Sequence, residues 1–75
     1  MTAVEVLFRY GIPPTESAMS ALAQLSDVYG IRQMRIHETE RAVRVEYDAT
    51  RLNESTVEKL LRSAGFDIQE RMALV

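Results

Sequence analysis

Side chains that carry catalysis or bind transition metals are scarce in this chain. It has no cysteine and one histidine, His37. The lack of thiols removes disulfides, thiolate nucleophiles and sulfur-rich zinc or copper sites together. His37 has no second imidazole with which to share a metal and no visible nucleophile to activate, so it reads as a strand histidine at the surface. Glu38 and Glu40 follow it in an acidic turn, at most a weak zinc site and otherwise a solvated turn. Soft sulfur comes only from Met1, Met19, Met34 and Met72. Met34 falls in the apolar phase of a strand and reads as core. Met19 lies off the apolar stripe of a helix, and Met1 is within reach of the same loop end. Met1, Met19 and His37 are therefore the alternative, non-cysteine ligands that the sequence offers, although methionine is more often a packing residue.

The other stretch with chemical interest is G-I-P-P-T-E-S, from Gly11 to Ser17. It joins a strand pattern to a helix pattern, the place where a small α/β module would hold a ligand. Thr15 and Ser17 are hydroxyls suited to capping the helix that follows. The helix N-terminus could attract an anion, but Pro13 and Pro14 remove two donors and Glu16 adds negative charge.

The elements around this stretch follow from periodicity. Val4, Val6, Phe8 and Tyr10 alternate with Glu5, Leu7 and Arg9, which predicts a strand. Ala18, Ala21, Leu22, Leu25 and Val28 recur at helical spacing, with Thr15 as N-cap and Gly30 as the closing residue. Ile31, Met34 and Ile36 begin a second strand, with Arg35 and His37 on its other side. Val43, Val45 and Tyr47 form a third, close enough to pair with the second as a hairpin. Val57, Leu60, Leu61 and Ala64 define a second helix, with Asn53 as N-cap and Ser55–Glu58 as an alternative capping box. Gly65 stops it, and Phe66 and Ile68 begin a short fourth strand.

The order βαββαβ predicts an α+β, ferredoxin-like sandwich: a four-stranded antiparallel sheet with two helices on one face. The open face would carry Glu5, Leu7, Arg9, Arg35, His37, Arg44 and Glu46, mixed in sign. The second and fourth strands are expected at the sheet edges. The 75 residues make one domain, with a core from about 4 to 68 and a tail over 69–75.

At this point the chain resembles the heavy-metal-associated domains of copper chaperones and metal-transporting ATPases, over about residues 4 to 68. Those domains read G-M-x-C-x-x-C after their first strand. Gly11 matches the glycine, Ile12 the buried methionine, Pro14 the first cysteine and Ser17 the second. Gly30–Ile31, Val45–Asp48 and Gly65–Phe66 match further landmarks without a gap. The resemblance implies the fold. It does not carry the metal chemistry, because proline has no donor atom and a serine hydroxyl is a poor ligand for soft Cu(I). The metal positions of the family are thus occupied by Pro14 and Ser17, and no cofactor is expected.

The net charge of −2 and the scattered basic residues argue against nucleic acid as a partner. The open face also lacks the aromatics of RNA-binding relatives of this fold. No apolar run approaches the length of a membrane span and no signal peptide is visible, so a cytoplasmic protein without membrane association is expected. No nucleophile–base constellation supports an enzyme. The expectation is a degenerate, non-enzymatic module that binds a protein partner or itself, through a sheet edge or the 69–75 tail. The alternative is a metal-binding or metal-transport-associated protein with non-cysteine ligands.

Overall fold

A computed structural model describes residues 2–73, without the side chain of Ala73. The strands are β1 (Ala3–Tyr10), β2 (Ile31–His37), β3 (Ala42–Asp48) and β4 (Ile68–Ala73), and the helices are α1 (Glu16–Leu25) and α2 (Glu54–Ala64). The strand order is β2-β3-β1-β4, and every neighbouring pair is antiparallel. The expected βαββαβ fold is present, with β2 and β4 at the edges.

Alternation decides which face each strand residue takes. Val6, Phe8, Val43 and Val45 have no exposed surface, and Tyr10 and Tyr47 are nearly buried. Ala18 and Leu22 of α1 and Val57 and Leu61 of α2 close over them in the same core cluster. Burying side chains of this kind contributes about 1.5–3 kcal/mol each, the main favourable term in so short a chain. Small residues let the elements approach closely. A Cβ added at Gly65 would lie 3.3 Å from the Cβ of Ala18.

Both helices start where capping chemistry places them. The Thr15 hydroxyl accepts from the Ala18 backbone N–H at 3.2 Å. The Asn53 side chain accepts from the Thr56 N–H at 2.9 Å. Asn53 is the N-cap, so the Ser55–Glu58 box is not used. Helix α1 ends at Leu25 with Ser26 as C-cap. Val28, expected on the helical stripe, lies instead in the turn that leads to Gly30. Gly30 and Gly65 have φ of +103° and +112°, a conformation that costs glycine little and other residues more.

Two features of the edge strands go beyond simple alternation. In β2, Ile31 and Met34 face the core together although three residues apart. A bulge between Ile31 and Gln33 resolves this, since Ile31 pairs with Tyr47 and Gln33 with Glu46. The extra residue shifts the side-chain phase by one. The second feature is a correction. The fourth strand does not stop near Ile68; it runs to Ala73, so the expected tail is mostly sheet. Phe66 precedes the strand and is buried at 3% exposure. A second bulge, where Arg9 pairs with Glu70 and Tyr10 with Ile68, brings Arg71 opposite Phe8. Arg71 then reaches α2, with Glu54 at 3.5 Å and Glu58 at 3.3 Å. Arg62 of α2 answers with a hydrogen bond to the Ile68 carbonyl at 3.2 Å. The ladder to β1 holds the strand that periodicity leaves unassigned, and this clamp ties it to α2. Leu74 and Val75, part of the expected tail, lie outside the described residues.

Candidate functional site

The β1–α1 loop is pinned from both sides. The Gly11 N–H donates to the Asp67 carbonyl at 3.0 Å, and the Tyr10 N–H donates to the Arg41 carbonyl at 3.0 Å. Arg41 closes the one-turn helix Glu38–Glu40 in a left-handed conformation, φ 53°. That is uncommon for a residue with a side chain and a modest source of strain. Its guanidinium Nη1 donates to the Gly11 carbonyl at 3.2 Å. The β2–β3 turn is therefore strapped to the β1–α1 loop by side chain and backbone together.

Between these two segments lies a depression of about 350 Å³, lined by Tyr10, Pro13, Pro14, Met19, Glu38 and Arg41. Tyr10, the two prolines and Met19 supply its apolar part, and Glu38 and Arg41 add one acid and one base. Ile12 stands at the loop tip with 67% of its surface exposed, and Met19 is 37% exposed. The match of Ile12 to a buried methionine is thus corrected: the side chain points to solvent. Tyr10 forms the floor and packs edge-on against Phe66, with ring centroids 5.9 Å apart. Burial raises the Tyr10 phenol above its usual range; Glu38 adds to this and Arg41 opposes it.

The residues expected as ligands occupy different places. Pro14 lines the loop depression, and Ser17 is exposed in the first turn of α1. Met19 lines the same depression, whereas His37 lines another one on the open sheet face. Met1 lies outside the described residues. Among the described residues, no three His, Asp or Glu side chains gather as a metal group.

The depression on the open face has a volume of about 280 Å³ and is lined by Glu5, Gln33, Arg35, His37, Arg44 and Glu46. Strand register sets like charges directly opposite one another: Glu5 against Glu46, and Arg44 against Arg35. Such pairs are unfavourable unless diagonal neighbours compensate them. Arg44 does so by donating to Glu5 through Nε, at 3.1 Å, and through Nη2. Glu46 lies 3.8 Å from Arg32.

Glu38, part of the acidic turn, and Arg41 thus become the rim of the loop depression. No local pattern marks this, because the glycine or asparagine usual at a left-handed position is absent. Gln33 joins the open-face depression through the β2 bulge. Its signal is the broken alternation between Ile31 and Met34.

No family model matches the chain, and no curated protein sequence matches it. Among solved structures, the chain is similar to the copper transporter domain Ccc2A of yeast, determined in apo and Cu(I)-loaded states. The TM-score is 0.71, the identity is 18%, and the likeness covers 96% of each chain. At this identity the likeness is one of fold. No helix among the described residues is long and apolar enough to cross a membrane.

Proposed function

We propose that this chain is a non-enzymatic, cytoplasmic protein-interaction module that has given up a cysteine metal site. Its partner would dock on the β1–α1 loop. The observation that carries this reading is the apolar group of exposed Ile12, Pro13 and Met19 with half-buried Pro14, around a pinned depression. Apolar side chains presented on a rigid scaffold and edged by charge are the usual core of a protein interface. Similarity to a copper transporter domain supports a shared scaffold. Pro14 and Ser17 at the matched positions support loss of the thiolate chemistry that such a domain would need.

The sheet edges are less suited to this role. Each edge strand contains a bulge and exposed charges, features that discourage strand addition. These are Arg32 and Arg35 on β2, and Glu70 and Arg71 on β4. The alternative metal-binding reading draws on Met19 and His37, which line separate depressions.

Two experiments test the proposal. The first is competition for Cu(I) and Zn(II) against a chromophoric chelator. The chelator is expected to retain the metal, and stoichiometric sub-micromolar binding by the protein would refute the loss of metal chemistry. The second is reconstitution with a purified partner, comparing the native chain with Ile12→Asp. Loss of an anchor residue should weaken binding by about 2 kcal/mol or more. Unchanged binding would move the interface away from this loop.

A further inference from the structure

The open sheet face presents a guanidinium that is held in place but has no carboxylate partner among the described residues. Arg35 sits on β2 directly opposite Arg44. In the amide orientation that satisfies both groups, Gln33 Oε1 accepts from Arg35 Nε at 3.0 Å and from Nη2 at 2.9 Å. Arg44 is held along the same edge of its guanidinium by Glu5. The two cations facing the depression are therefore both braced through Nε and Nη2, which leaves their Nη1 ends for a ligand. His37 adds a third group to the same lining.

The charge count indicates what would settle there. Arg35 and Arg44 line the depression together with Glu5 and Glu46, while Arg32 lies outside this lining, 3.8 Å from Glu46. Glu5 pairs with Arg44 and Glu46 with Arg32, which leaves Arg35 as the lining cation without an ion pair among the described residues. A single negative charge balances it. A dianion such as phosphate would add repulsion from Glu5 and Glu46, which line the same depression. Guanidinium and carboxylate form charge-assisted hydrogen bonds in a shared plane. Pre-bracing by Gln33 lowers the entropy cost of fixing a long side chain. The volume of about 280 Å³ is at the small end for ligand pockets, so a compound of few heavy atoms fits.

We propose that this depression binds a small monocarboxylate, with Arg35 as its anchor and Arg44 and His37 as flanking donors. The site lies on a different face from the loop-end docking surface and does not depend on it.

The test is an NMR titration with sodium acetate, using sodium chloride at matched ionic strength as control. The arginine Nε–Hε and His37 ring signals are followed. Saturable shifts are expected at Arg35, Arg44 and His37, with none at Arg62 or Arg71 on the helix side. Arg35→Gln should weaken acetate binding about tenfold, the effect of losing one charge-assisted pair. Gln33→Ala keeps the charge and removes the brace, so it should weaken binding less than Arg35→Gln does. Amide spectra of both variants confirm that the fold persists. Shifts that rise linearly, that chloride reproduces, or that affect all exposed arginines alike would overturn the site. Saturation by inorganic phosphate but not by acetate would overturn the assignment to carboxylates. Unchanged affinity in both variants would remove Arg35 from it.

Discussion

On its helix-covered face the sheet carries Val6, Phe8, Val43 and Val45, none with any exposed surface. On the open face the intervening positions are Glu5, Leu7, Arg44 and Glu46. The same two strands supply both sets, one residue apart. The covered set excludes water and is interchangeable only at the cost of cavities. The open set is held by ion pairs that solvent screens. The fold therefore resides almost wholly on one face, which leaves the other face and the loop end free to vary in chemistry. The yeast copper transporter domain shares the architecture at 18% identity, and that separation of roles is how so few shared residues can suffice.

The comparison breaks most visibly at Phe8 and Leu7, adjacent in sequence and opposite in face. Phe8→Ala should cost about 3–5 kcal/mol through lost burial and a residual cavity. Native domains hold only about 5–15 kcal/mol in all, so a large fall in the urea midpoint by circular dichroism is expected. Leu7→Ala should cost less, about 1 kcal/mol, since Leu7 is only half-buried and its truncation leaves no enclosed cavity. Equal losses would show that the open face is covered in solution, by a partner or by a second copy.

Where the covered face dictates a pattern, the sequence is transparent. Two-residue alternation in β1 and β3, and the Val57–Leu61 stripe of α2, are direct records of burial. Thr15, Asn53, Gly30 and Gly65 mark the helix ends because capping and left-handed turns admit few residue types. What is opaque depends on contacts distant in the chain. The length of β4 rests on its ladder to β1, with Arg71 reaching Glu54 and Glu58, and no local period signals it. The exposure of Ile12 follows from Arg41 and Asp67 fixing the loop, so matching its position to a buried methionine misleads. The loop depression is half legible: Pro13, Pro14 and Met19 stand out, whereas Glu38 and Arg41 become its rim only through the hairpin.

A smaller effect separates the two ends of the molecule. Gly30 has φ +103°, and an added Cβ would lie 3.0 Å from Arg51 Cβ and from Leu52. Gly30→Ala should cost about 1–3 kcal/mol in backbone strain and crowding. At the opposite end, Gly11 has no positive φ. An added Cβ there would meet the Asp67 carboxylate at 2.9 Å and the Gln69 side chain at 3.0 Å, ends that can swing aside. Gly11→Ala should therefore be milder, and thermal unfolding of the two variants ranks them. A larger loss at Gly11 would mean that the loop end is as rigid as the turn at Gly30.

Below that lies the clamp on β4. Arg71→Ala removes ion pairs to both Glu54 and Glu58 and should cost about 1 kcal/mol or less, because the groups are partly exposed. Arg44→Ala on the open face breaks one pair and relieves the opposition to Arg35, so its net effect should be smaller still. Hydrogen exchange distinguishes them. Arg71→Ala should speed exchange within β4, whereas Arg44→Ala should leave that strand unchanged. Faster β4 exchange in both variants would mean that the open-face pairs also hold this edge.

The finest contrast is in pH. Burial raises the Tyr10 and Tyr47 phenols, with Glu38 and Glu54 respectively adding to the shift. A phenol that holds its proton more tightly when folded adds stability that is complete below its unfolded pKa of about 10. That contribution is lost as pH rises through the higher folded value, because the unfolded chain then releases the proton first. Asp48 behaves in the opposite sense. Hydrogen bonds from the Thr50 hydroxyl, at 2.7 Å, and the Thr50 N–H, at 3.0 Å, lower its pKa. Its contribution is present above the unfolded value of 3.8 and disappears as pH falls through the folded one. Stability should thus decline above about pH 10 through the covered face, and below about pH 4 in part through Asp48. Tyr10→Phe and Tyr47→Phe should flatten the alkaline limb and leave the acid limb alone. Asp48→Asn should do the reverse, more weakly, because its carboxylate is open to solvent. An alkaline limb that survives both tyrosine changes would place the controlling group outside the core, and the two faces would then not divide the titration between them.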